Sequence, residues 1–158
     1  MQDENVKVEG LDEVYVTLDT LENKLSNTKP LMTAIAHHLE EIVHHSFEVE
    51  RTPDGKSWSP IKPRKGDKSP TKILKDSGHM QETIYSKSTN TTATVGLNAV
   101  SGNFQYPLTH QFGTNKAGKN RNITIEARPF MPIKSNGSLY DGLEKELEEL
   151  VDDYLSLK

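Results

Sequence analysis

The chain has 158 residues, 33% of them hydrophobic and 27% charged, with a formal net charge of −4. That is the length of one ordinary domain, polar enough for long loops yet rich enough in Leu, Ile and Val to bury a core, which excludes a disordered chain. No run approaches the roughly 18 apolar residues that span a bilayer, and with no cysteine there are no disulfides, thiolate catalysis or Cys-containing zinc motifs. Met1-Gln2-Asp3-Glu4-Asn5 is acidic and lacks an apolar stretch, so the expected setting is a reducing cytoplasm, without secretion and without a membrane partner.

Charge is unevenly distributed. Residues 1–50 carry a net −8, residues 51–90 +5, residues 91–137 +4 and residues 138–158 −5. Acidic ends therefore flank a basic middle, which can pair within the chain or with a neighbouring copy in head-to-tail fashion. A pI of 5.9 argues against a dedicated DNA-binding domain, while non-specific DNA contact by the middle stays open.

In chain order, Val6 to Glu9 alternates apolar and polar and predicts a short strand. Leu11, Val14, Leu18, Leu21 and Leu25 follow at spacings of three and four, which predicts a helix. Asn27-Thr28-Lys29-Pro30 opens a second helix, with a stripe of Leu31, Ile35, Leu39, Ile42 and Ser46 widened by Val43 and Phe47, ending near Arg51. Pro53-Asp54-Gly55 is a turn, and residues 55–70 read as a basic, mobile loop pinned to the core by Trp58. Asp76-Ser77 caps a short helix through Ile84.

Thr83–Ser88 and Thr92–Leu97 form a hairpin around Thr89-Asn90-Thr91. Phe104, Tyr106 and Leu108 approach His110-Gln111-Phe112-Gly113, and residues 114–122 read as a second mobile basic loop. Ile123–Ile125 and Phe130–Ile133 look like strand pieces. Ser138 and Asp141 make a capping box for a last helix striped by Leu139, Leu143, Leu147, Leu150, Tyr154 and Leu157, with Gly142 inside its first turns at a cost of about 1 kcal/mol. The expected class is α+β: one domain over residues 1–158, a small antiparallel sheet with a central hairpin, packed by long helices at both ends.

Chemistry is sparse. His37, Glu41 and His45 have a helical spacing that can hold a divalent metal, but the helical wheel sets His38 and His45 beside the apolar stripe and His37 and His44 on the polar side. A solvated helix face is the preferred reading and a metal-dependent hydrolase the rival. His110 has one acid, Glu126, within residues 91–137, so it reads as a buried or interface histidine bonded to backbone, with Gly113 as a left-handed helix exit. Gly55-Lys56-Ser57 lacks the upstream glycine of a phosphate loop, and no Gly-x-Ser-x-Gly elbow occurs. No catalytic set and no cofactor site emerges.

The order of the loop signatures is distinctive. Phe47-x-x-Glu50-Arg51-x-Pro53-Asp54-Gly55-x-x-Trp58-x-Pro60 precedes Ile73-Leu74-x-x-Ser77-Gly78-x-Met80, then Val95-Gly96-x-Asn98, His110-Gln111-Phe112-Gly113 and Ala127-Arg128-Pro129-Phe130-Met131. Over residues 6 to 157 this resembles the phage virion morphogenesis family of tail completion proteins. It departs from the family pattern at Tyr106-Pro107-Leu108-Thr109 and at Met131-Pro132. The resemblance implies a non-enzymatic structural protein of a long-tailed phage or prophage, assembled in the host cytoplasm and residing in the virion at the head–tail junction or tail end. Its implied partners are further copies of itself in a ring, and tail tube, terminator or head-completion proteins.

Within that frame Trp58, Phe112 and Phe130 are expected as core anchors, and Gly55, Gly78 and Gly113 are expected to serve backbone geometry. Arg128, beside Pro129, is expected to pair with the acidic C-terminal helix or to contact a neighbouring subunit. Lys62, Arg64, Lys65 and Lys68 are candidates for contact with a neighbouring copy or with DNA passing through a lumen.

Overall fold

The computed structural model describes residues 11–61, 72–75, 77–102 and 104–156. The strand expected at Val6–Glu9, the basic residues Lys62, Arg64, Lys65 and Lys68, and the expected contributions of Asp76 and Leu157 lie outside them. In chain order the elements are α1 (Leu11–Ser26), α2 (Lys29–Val49), α3 (His79–Glu82), β1 (Ile84–Ser88), β2 (Ala93–Leu97), α4 (Tyr106–Phe112), β3 (Thr114–Ala117), β4 (Ile123–Ile125) and α5 (Leu143–Leu155).

α2 organises the rest. Pro30 sits in its first turn, where a missing N–H costs nothing. Its buried line runs through Ala36, Val43 and Phe47, with the last two fully buried. Ile35 and Ile42, expected at the centre of the stripe, lie at its half-buried margin and line the seam with α5. The reason is that α2 is covered twice, by the β1–β2 hairpin on one side and by α5 on another. Val43 and Phe47 join Trp58, Ile73, Met80, Ala99 and Phe130 in one core cluster. Each large side chain there contributes about 1.5–3 kcal/mol by burial.

The hairpin pairs Ile84 with Leu97 and Ser88 with Ala93. Val95 and Leu97 pack on the core side of β2. Its tip is tied to the start of α2, because Thr28 Oγ1 donates to Asn90 O, and Lys29 Nζ donates to Ser88 O. The class is α+β as expected, but among the described residues the strands form two separate two-stranded sheets.

Local details differ from the sequence expectations. The short helix is one turn, His79–Glu82, and Ile84 already belongs to β1. Thr114–Ala117, expected inside a loop, is β3 and pairs with β4 through an irregular register. α5 starts at Leu143 with Gly142 as its N-cap, so glycine lies outside the helix rather than within it. The expected capping box does not form: Ser138 bonds to Asn136, and Asp141 pairs with Lys134 at 2.6 Å. Leu139 bridges to Ile133 instead of opening the helical stripe.

Candidate functional site

The signature residues converge on one corner, which begins where α2 stops. Glu50 turns left-handed (φ 56°, ψ 44°) and its N–H returns to Ser46 O. Its carbonyl then accepts the Trp58 N–H at 3.0 Å, and its carboxylate accepts the Ile73 N–H at 2.9 Å. Between Glu50 and Trp58, Thr52 N–H donates to Lys56 O and Gly55 N–H to Thr52 O, each at 2.8 Å. This closes the turn that carries Pro53 and Asp54. Lys56, 2.8 Å from Asp54, and the Thr52 hydroxyl together hold the Asp54 carboxyl below its usual range.

The turn delivers Trp58 to the core. Its ring meets Phe47 edge-on, with centroids 5.8 Å apart, and its Nε1–H donates to Pro129 O at 2.7 Å. Phe47 also stacks against Phe130 at 5.1 Å. Trp58 and Phe130 are thus core anchors, as expected from the sequence.

α4 approaches from the other side. Gln111 is buried, and its Oε1 accepts the N–H groups of Phe130 and Met131, both at 2.9 Å. Its Nε2 donates to Ile133 O at 3.0 Å. The side chain supplies the bonds that a neighbouring strand would make, and for that reason Phe130–Ile133 is an irregular segment and not the expected strand.

Arg128 is also buried. Its N–H donates to His110 O at 2.7 Å, its Nε to Ser59 O at 2.9 Å and its Nη2 to Pro60 O at 3.3 Å. The expected ion pair with the acidic C-terminal helix is not made, since the guanidinium is turned toward loop carbonyls.

His110 contributes its carbonyl to the corner, while its ring Nδ1 is buried with no hydrogen-bond partner among the described residues, contrary to the expected bond to backbone. Burial, followed by the charge of Arg128, lowers its pKa below the ordinary 6.5. Gly113 leaves α4 with φ 70° and ψ 173°, an extended exit and not the left-handed helical one expected. That region is essentially reserved for glycine. A Cβ there would stand 2.9 Å from Ala127 N and 3.0 Å from Ile125 O. Gly78 is the N-cap of α3, and its neighbours Ser77 and His79 line a pocket with His110 and Arg128.

Phe112 corrects another expectation: it is 45% exposed. On α4 the four-residue spacing sets Pro107 and Gln111 on the inner face and Leu108 and Phe112 on the outer one. A glutamine is inside and a phenylalanine outside because only the amide can bond the 130–133 backbone. Leu108 and Phe112, with Val100, Met131 and Ile133, line an apolar groove of about 510 Å³ above the buried Ala99 and Phe130. Sequence reasoning did not find this groove. Its available signal was the Leu108/Phe112 pair, an apolar i, i+4 doublet beside a polar residue at the inward position.

The histidine helix does not converge. His37 lies 3.5 Å from Glu40 on the same helix, whereas His38 Nε2 lies 2.9 Å from Glu146 Oε2 of α5. Among the described residues no three His, Asp or Glu side chains gather into a group that could hold a metal.

Corner and groove together define a structural module, in which signature side chains hold backbone and an apolar surface is left facing out. The chain belongs to the phage virion morphogenesis family, whose model matches residues 10–156. It is 30% identical over 152 residues to the Mu-like prophage FluMu G protein 2 of Haemophilus influenzae, covering 96% of each chain. No solved structure matches it. The family role is structural, in phage virion morphogenesis, and is virion-associated. No helix among the described residues is long and apolar enough to cross a membrane.

Proposed function

We propose that this chain is a tail completion or head–tail neck component that works as a closed ring, with no catalytic step of its own. The family match across residues 10–156 carries this reading. The charge distribution supports the ring, because acidic ends and a basic middle are the two unlike patches that a head-to-tail contact requires. A closed ring satisfies every such contact, whereas an open one polymerises without limit. Native mass spectrometry and electron microscopy of the purified protein test it. Closed oligomers that dissociate as salt rises are expected, and a salt-indifferent monomer at every soluble concentration overturns the ring.

A second reading, non-specific DNA contact, is favoured by the exposed Lys116, Lys119 and Arg121 on and between β3 and β4. It predicts duplex affinity that falls steeply with salt, and absence of binding at low ionic strength dismisses it.

A further inference from the structure

α1 is a helix of sixteen residues with none buried. Helices of this length are marginal alone in water and are normally held by packing of an apolar face. Its fastening is at the C-terminal end, where Lys24 Nζ donates to Ser156 O at 2.6 Å and the Tyr154 hydroxyl lies 2.7 Å from Asn27 O. Leu11, Val14, Leu18 and Leu25 form one ridge along it and are 45%, 51%, 54% and 62% exposed. No residue of α1 lines the apolar groove beside α4. Among the described residues, one chain therefore carries an unpartnered ridge and an unpartnered groove, which are different in shape and separate in place.

Their charges are complementary. α1 holds Asp12, Glu13, Asp19 and Glu22 against Lys24, a net −3. The helical period sets Asp12, Asp19 and Glu22 along one flank of the ridge. The β3–β4 hairpin begins directly after Phe112-Gly113 at the groove rim. Between Thr114 and Ile125 it carries Lys116, Lys119 and Arg121 and no acid, a net +3.

The geometry points to a contact between copies in which the α1 ridge of one chain seats in the α4 groove of the next, its acidic flank against the basic hairpin. This deepens the ring reading and rests on it. An open run of docked copies, whatever its length, leaves one ridge and one groove free at its two ends, so closure of a ring is what satisfies all of them. The apolar seat supplies affinity, and the opposed charges set the direction of the helix.

The natural chain has no cysteine, which makes site-specific cross-linking clean. A Leu18→Cys chain is mixed under mild oxidation with Val100→Cys, Leu108→Cys or Phe112→Cys chains, and native mass is recorded in parallel. These are exposed positions, and circular dichroism checks that each variant folds. Disulfide-linked pairs between Leu18→Cys and groove variants are expected, and Val16→Cys, on the opposite side of the helix, should give none. Asp19→Lys with Glu22→Lys should remove most of the product, and Lys116→Glu with Arg121→Glu in the other chain should restore it. Preferential Leu18→Cys self-linking overturns the proposal in favour of α1–α1 pairing. An oligomer without ridge–groove links overturns it and leaves the ring standing, whereas a monomer without links removes both.

Discussion

Gln111 Oε1 stands 2.9 Å from the backbone nitrogens of both Phe130 and Met131, so a single side-chain amide does the work of a missing strand. Removing it strands two donors and, at Ile133, one acceptor. Each group left dry costs about 1–3 kcal/mol, and water will reach some of them, so Gln111→Leu should destabilise by about 2–4 kcal/mol. Gln111→Glu keeps the acceptor but sets a carboxyl oxygen against Ile133 O, so it must bury a charge or hold a proton there, and its cost should rise with pH. Urea denaturation followed by the fluorescence of Trp58, the sole tryptophan, measures both.

Gly113 and Gly55 both have positive φ, at 70° and 83°, yet they should respond differently to alanine. A Cβ at Gly55 meets nothing within 4 Å, so Gly55→Ala should cost about 1–2 kcal/mol from backbone strain alone. At Gly113 the same change adds a collision with Ala127 N at 2.9 Å and should cost about 2–4 kcal/mol. Equal losses in urea midpoint would show that the α4 exit relaxes freely.

Trp58 acts through two properties that substitution can separate. Trp58→Phe keeps an aromatic ring against Phe47 but loses the donor to Pro129 O, for about 1–2 kcal/mol. Trp58→Ala opens a core cavity and should cost about 3–5 kcal/mol. Far-UV circular dichroism melts check this, since the fluorescent reporter is lost.

His110 makes stability depend on pH in a defined direction. Its folded pKa is below the ordinary 6.5, so the unfolded chain takes up a proton first as pH falls. The contribution is fully present above pH 6.5 and is lost as acid is added through and below that value. Denaturation midpoints between pH 8 and pH 5, a window chosen around the His range, should therefore fall more for the natural chain than for His110→Gln. Parallel curves would mean that the ring finds a proton acceptor in the fold.

Periodicity and turn chemistry made much of this fold legible. The three–four spacing from Leu11 to Leu25 marks α1, Pro30 marks the start of α2, and Thr92–Leu97 with its alternation marks β2. The Pro53-Asp54-Gly55 turn and the anchoring of Trp58 were readable for the same reason: they depend on neighbours in sequence or on one large side chain with nowhere else to go. Where glycine and charge sit close together the signal failed. Gly142 stands outside α5, and β3 hides among lysines, because pairing with β4 overrides weak strand propensity.

By itself the sequence determined the long helices α1, α2 and α5, the β1–β2 hairpin, the family and the polarity of charge along the chain, since all of these are local or additive properties. Only the tertiary structure decided that Gln111 faces in and Phe112 out, that Arg128 binds the carbonyls of Ser59 and Pro60, and that the apolar side chains of α1 and the α4 groove stay exposed among the described residues. Those outcomes depend on which backbone groups from distant segments arrive unsatisfied at one corner, and periodicity carries no record of that.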